Sequence, residues 1–135
     1  MADLTATVTD THALVFHAAG GGVLGPDARA QFAAAEQGQH LIYVPAAVIW
    51  EVGILARIVR INLRRPMRTF FADLFSNPAY QPHDLTAAQI FDADDLRFTR
   101  DPFDALIVAA ARDLGLPLIT RDVAIRESGS VSTIW

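Results

Sequence analysis

The feature that most restricts the fold is an alternation. Short apolar runs recur along the chain, each separated from the next by one or two helix-like stretches bounded by Pro, Asp, Asn or Gly. Residues 6–9 predict a first buried strand, followed by a helix over Thr11–Ala18 that is broken at Gly20, Gly21 and Gly22. Pro26 and Asp27 open a second helix that closes near Gly38, and residues 41–44 are strand-like. A long apolar helix is expected from Ala46 to about Ile61, turning basic at its far end. Pro66 begins another, through Phe70, Phe71, Leu74 and Phe75, which Asn77 and Pro78 stop. Helices over residues 86–93 and 103–114 follow, the latter closed by Gly115. Residues 116–120 predict a strand, Asp122 a short helix to about Glu127, and residues 131–134 a last strand. Buried strands alternating with helices imply a parallel sheet with right-handed crossovers. The expected class is therefore α/β, a single-domain α/β/α sandwich over residues 1–135 with a central, mostly parallel sheet.

Composition narrows the chemistry. With 52 % hydrophobic and 19 % charged residues, the chain is too apolar to stay disordered, yet no run reaches the roughly 18–20 residues of a membrane span. Residues 1–10 carry acid and no basic stretch, so the expectation is a cytoplasmic protein without a secretory leader. Cysteine is absent, which excludes disulfides, thiolate zinc sites and cysteine nucleophiles. Any metal must then bind oxygen or imidazole. The net charge of −4 opposes a generic nucleic-acid coat, and the absence of lysine excludes a Schiff base or a P-loop lysine.

Four acids stand in apolar company: Asp10, Glu51, Asp104 and Asp122. Taken singly, three have a structural explanation. Asp10 and Asp122 precede helices as natural N-caps, and Asp104 falls in a first helical turn, where the helix dipole favours an acid. Glu51 escapes this, because Ala47, Val48, Ile54 and Leu55 surround it on its own helix face. Such a carboxylate either points to solvent or is buried and protonated, paired or metal-bound. Topology joins the four, since residues just past the carboxyl ends of parallel strands, and at helix starts, converge on one crevice. Mutual repulsion there calls for a divalent cation, and an all-oxygen set selects Mg²⁺ or Mn²⁺ over zinc. That combination suits phosphodiester cleavage.

The stretches Thr9-Asp10-Thr11-His12-Ala13-Leu14, Pro45-Ala46-Ala47-Val48-Ile49-Trp50-Glu51-Val52, Arg100-Asp101-Pro102-Phe103-Asp104-Ala105-Leu106 and Leu118-Ile119-Thr120-Arg121-Asp122 together resemble PIN-domain proteins, and more narrowly VapC-type toxins of prokaryotic toxin–antitoxin pairs. The resemblance runs over the whole chain. It implies a PIN-like sandwich and a Mg²⁺-dependent endoribonuclease that is held in check by a cognate antitoxin. It also implies that Asp10, Glu51, Asp104 and Asp122 form the metal site and that Thr120, and Thr11, support it. A homodimer is the usual assembly of such proteins. Many close relatives carry a lysine four residues after the helix glutamate and an arginine directly after the Pro-Phe-Asp triplet. This chain has Leu55 and Ala105 instead, so bases that would help hold RNA phosphate are missing there.

Arg57, Arg60, Arg64, Arg65 and Arg68 crowd the expected end of the long helix and the start of the next. They read either as an RNA-phosphate patch or as a solvated turn pairing with acids such as Asp73. The scattered His12, His17, His40 and His83 lack metal-ligand spacing and read as structural, with His12 placed to line the groove beside Asp10. Gly20–Gly22 lacks a phosphate-loop pattern, and Asp92, Asp94 and Asp95 read as a solvated acidic loop. Phe70, Phe71, Phe75 and Trp50 read as core or dimer interface. Two other functions remain open at this level: a small Mg²⁺-dependent phosphatase, disfavoured because Asp10-Thr11-His12 lacks a second aspartate, and a PIN-like module that binds RNA or protein without turnover.

Overall fold

Five parallel strands form one sheet in the order β3-β2-β1-β4-β5, where β1 is Thr5–Thr9, β2 His40–Pro45, β3 Tyr80–His83, β4 Leu118–Ile119 and β5 Thr133–Ile134. The coordinates are a computed structural model that describes residues 4–135; the first three residues of the segment read for a leader lie outside them. Helices α1 (Thr11–Ala18), α2 (Pro26–Glu36), α3 (Ala46–Arg57), α4 (Met67–Ser76), α5 (Ala87–Asp95), α6 (Pro102–Leu114) and α7 (Val123–Ser128) flank the sheet, giving an α/β/α sandwich. The strand order reverses at β1, whose neighbours are β2 on one side and β4 on the other. In open parallel sheets the crevice beyond such a reversal is where ligands bind. Val8, Ile42, Val44, Leu118 and Ile119 from the strands pack with Leu14, Phe32, Val48, Val52, Ile107, Val108 and Ile125 from the helices, all essentially inaccessible to solvent. Each such side chain contributes about 1.5–3 kcal/mol relative to exposure.

Local signals place most of the elements. Asp10, Thr86, Asp101 and Asp122 accept backbone N–H groups at the starts of α1, α5, α6 and α7, and Gly115 ends α6 in the left-handed conformation that glycine tolerates best. The start of α2 is different, because Gly25 has no side chain to cap it. Its first N–H groups, from Asp27 and Ala28, donate instead to the carbonyl oxygen of Trp135 at 3.0 and 3.2 Å. The approach leaves no room for a larger residue: a Cβ on Gly25 would lie 2.6 Å from Trp135 Cδ1.

Three expectations are corrected. The long helix stops at Arg57, short of Ile61, so Arg60, Arg64 and Arg65 lie on a loop between α3 and α4. Val59 and Arg64 both take φ of 60°, a costly conformation for a β-branched residue, and the loop is held by Asn62 Oδ1 accepting from the Arg64 N–H at 2.8 Å and by Ile61 and Leu63 packing on the core. A strand not expected from the sequence, β3, pairs along β2 from Ile42 with Tyr80 to Pro45 with His83; Pro82 is tolerated because β3 is an edge. The acids Asp92, Asp94 and Asp95 belong to the last turns of α5 rather than to a loop, and Asp92 pairs with Arg112 of α6 at 3.0 Å.

His40 is a structural histidine. Buried between β1 and β2, it bridges Thr5 Oγ1 through Nδ1 at 2.6 Å and Thr7 Oγ1 through Nε2 at 2.8 Å, and burial holds its pKa below the usual histidine value. Among the described residues no helix is long and apolar enough to cross a membrane.

Candidate active site

At the carboxyl edge of the sheet, beside the strand-order reversal, the chain leaves β1 at Asp10 and β4 just before Asp122. Both aspartates are helix caps. Asp10 Oδ1 accepts from the Ala13 N–H at 2.8 Å and Asp122 Oδ1 from the Ile125 N–H at 2.9 Å, so one oxygen of each carboxyl is fixed by a backbone that cannot move without unwinding a helix. Thr120, fully buried between them, joins the two: its hydroxyl oxygen accepts from the Asp122 N–H at 3.0 Å, and its hydroxyl hydrogen-bonds to Asp10. Burial pushes the Asp10 carboxyl above its ordinary value, an effect opposed by the hydrogen bonds from Thr120 and Ala13 and by nearby His12.

Glu51 lies in the second turn of α3 and is half-buried. Its Oε1 accepts from the Thr11 hydroxyl at 2.5 Å, so the residue following Asp10 fastens the glutamate to the start of α1. Asp104, in the first turn of α6, completes the group. Burial first, and then the negative charges of Asp101, Asp122, Glu51 and Asp10, raise its pKa to about 7. The ordering shows that all four acids expected from the sequence share one electrostatic neighbourhood, and that a fifth belongs to it. Asp101 is the α6 cap, accepting from the Phe103 and Asp104 N–H groups at 2.8 and 3.4 Å. Its signal was present in the sequence as an Asp before Pro, three residues ahead of Asp104 and therefore at the same helix end.

The donor set is all oxygen, which suits a hard divalent ion, and a cation is what would relieve the crowding that raises Asp104. The carboxyls are not drawn into a ready-made cage: among the described residues no three acid or imidazole side chains form one. Their local bonds explain the spread, since Asp10, Asp101 and Asp122 each answer a cap and Glu51 answers Thr11.

Of the five arginines expected to touch RNA, Arg64 and Arg65 lie away from the acids. Arg64 and Arg65 line a groove of about 640 Å³ with Ala18 and Ala19, at the end of α1 opposite to Thr11. Eight residues of helix separate the two ends, about 12 Å. Arg65 pairs with Asp73 and lies over the Phe70 ring at 5.5 Å, and Arg57 lies over half-exposed Trp50 at 5.5 Å. Trp50 is thus a surface residue, whereas Phe70 and Phe71 are core. Of the other histidines, His17 bonds Glu36 at 3.0 Å, His83 bonds Asp113 at 3.0 Å, and His12 is exposed.

A family model described as PIN domain matches residues 7–129. No curated protein sequence matches the chain. Among solved structures, it is similar to VapBC2 from Rickettsia felis bound to a promoter DNA fragment, with a TM-score of 0.69 and 13 % identity over 96 % of this chain and 97 % of that one. DNA-bound VapBC from Salmonella typhimurium gives a TM-score of 0.67 and 14 % identity over 97 % of each chain. A toxin–antitoxin complex from Klebsiella pneumoniae gives 0.62 and 19 % over 94 % of this chain and 96 % of that one.

Proposed function

Because this chain belongs to the PIN domain family, we propose that it is a Mg²⁺-dependent endoribonuclease, the toxin of a toxin–antitoxin pair, with Asp10, Glu51, Asp104 and Asp122 as its metal ligands. The observation that carries this reading is the state of Asp104, a half-buried carboxyl pushed to about 7 chiefly by burial and then by four neighbouring acids. A protein has no structural need to gather five acids at one sheet edge, since caps alone require only Asp10, Asp101 and Asp122. A bound Mg²⁺, or Mn²⁺ on the same oxygens, would supply charge for a phosphate oxygen and a water of lowered pKa.

The chain's own part is to position. Helix caps fix Asp10 and Asp122, Thr120 sets their spacing, and Thr11 orients Glu51. No side-chain nucleophile is required. The partner in this reading is an antitoxin protein, which the toxin–antitoxin and VapBC complexes among the similar structures support. Exposed Ile90 and Phe91 on α5 support a homodimer. A second reading, an RNA- or protein-binding module without turnover, is favoured by Leu55 and Ala105, which put no cation where close relatives of the VapC type carry one.

The deciding measurement is cleavage of purified single-stranded RNA with Mg²⁺ or Mn²⁺ and with EDTA. Cleavage that needs the ion and disappears in Asp10→Asn and Asp104→Asn is the expected result. Ion-independent cleavage, or full activity in either variant, overturns it; RNA binding without cleavage selects the second reading.

A further inference from the structure

A pocket of five carboxylates repels the polyanion it is proposed to cut, so some cation on its lip must hold the substrate. Leu55 and Ala105 supply none, and the arginines of the 57–68 segment lie toward the other end of α1 and α3. The loop after β4 supplies one. Arg121 stands between Thr120 and Asp122, both part of the site, and is exposed.

An arginine adjoining an acidic cluster would ordinarily fold onto it. Arg121 does not: among the described residues it forms no ion pair and no side-chain hydrogen bond. Its guanidinium lies over the Phe16 ring instead, 4.7 Å from the centroid. Phe16 is braced edge-on by Trp135, with centroids 6.4 Å apart and planes at 69°, and has His12 one turn earlier at 6.2 Å. A guanidinium placed over a ring has its N–H groups free of other partners, and two of them can donate in parallel to one phosphate. A guanidinium backed by an aromatic ring also offers an unpaired base a cationic surface to stack on.

We propose that Arg121, held over the Phe16 ring, binds a backbone phosphate of single-stranded RNA on the α1 side of the carboxylate pocket and so sets how the strand enters it. The proposal rests on the nuclease reading for its substrate, but makes a separate claim about binding. It is tested on the full chain with a short single-stranded RNA oligonucleotide, by steady-state cleavage in Mg²⁺ and by fluorescence anisotropy in EDTA across a salt series. In Arg121→Ala the KM should rise about tenfold with kcat within about twofold. The slope of log affinity against log salt should fall by about 0.7, the loss of one phosphate contact. Arg121→Lys should recover part of the affinity, since it keeps the charge without the paired N–H donors, and Phe16→Leu should fall between the two. Mn²⁺ binding, followed by thermal shift, should stay as in the wild type. A wild type that cleaves RNA while Arg121→Ala keeps its KM and salt slope overturns the proposal and leaves the nuclease reading standing. A wild type that binds the oligonucleotide with the Arg121-dependent slope but does not cleave it supports this contact and overturns the nuclease. Neither binding nor cleavage overturns both.

Discussion

At the starts of α1, α6 and α7 the acids Asp10, Asp101 and Asp122 are each fastened by backbone N–H groups, whereas past the far end of α3 Arg60, Arg64 and Arg65 sit on a loop whose backbone bends through two positive φ angles, with Arg57 and Arg68 on the helices that flank it. Both charges follow helix polarity, acids at the positive N-termini and Arg57 in the last turn of α3. The resemblance stops there. Arginine charge is partly answered within the protein, by Asp73, Trp50 and Phe70. The acidic end has no comparable answer: a helix dipole contributes about 0.3–1 kcal/mol to an acid, and Asp104 remains pushed to about 7. One end has its charge partly paired, and the other carries crowded negative charge.

The most forceful way to break that contrast is to remove a carboxylate charge while keeping its shape. Asp10→Asn and Asp104→Asn should each lower RNA cleavage by about 10³-fold or more, the scale of losing a group that manages transition-state charge. Toxicity on expression should vanish with it. Without divalent ions, Asp104→Asn should at the same time raise stability at pH 8 by about 1 kcal/mol, because a buried, crowded anion is gone. A variant inactive and less stable would mean that Asp104 is an ordinary structural acid.

A change that weakens the fold while touching neither end calibrates these effects. Gly25→Ala should cost about 1–3 kcal/mol by driving a methyl group into Trp135, measurable as a lowered denaturation midpoint. Cleavage at saturating RNA should be unchanged below that midpoint, because the acids are untouched and any effect passed through Trp135 to Phe16 would fall on KM. The contact also shows what sequence reading could not reach. The caps at Asp10 and Asp122, the Pro102 start of α6 and its Gly115 end were legible because each is decided by residues within four positions. The capping of α2 by a carbonyl more than a hundred residues away was not. Strand β3 was hidden for the same reason, since Tyr80-Gln81-Pro82-His83 becomes a strand only by pairing with β2. In the site, the four acids could be grouped from topology, but the placement of Arg121 over the Phe16 ring depends on how β4 and α1 lie together.

The two halves of the sheet should also respond oppositely to pH. At the carboxyl edge, Asp104 is raised from 3.8 to about 7, so the folded state holds its proton more tightly and stability in EDTA falls as pH rises through that window. His40, at the start of β2, is lowered by burial, so the unfolded chain takes up its proton first and stability falls as pH drops below about 6.5. Urea denaturation from pH 5 to 8 separates them. Asp104→Asn should remove the loss that accumulates between pH 3.8 and about 7 while leaving the His40 loss in place, and divalent ion should do the same in the wild type. An Asp104→Asn curve parallel to the wild type throughout would contradict the electrostatic coupling among the acids.

The smallest effect is expected at the arginine end. Neutralising Arg64 and Arg65 together removes the pair with Asp73, an exposed contact whose typical contribution is below about 1 kcal/mol. Because these side chains sit about one α1 length from Thr11, a short oligonucleotide seated in the carboxylate pocket should bind the double variant within about twofold of the wild type, with an unchanged salt slope. A slope lowered by about 0.7 per arginine on that same short strand would mean that RNA runs the length of α1. The two ends would then be a single track, cleaving at the acids and anchoring at the arginines, and the division between them drawn from the structure would fail.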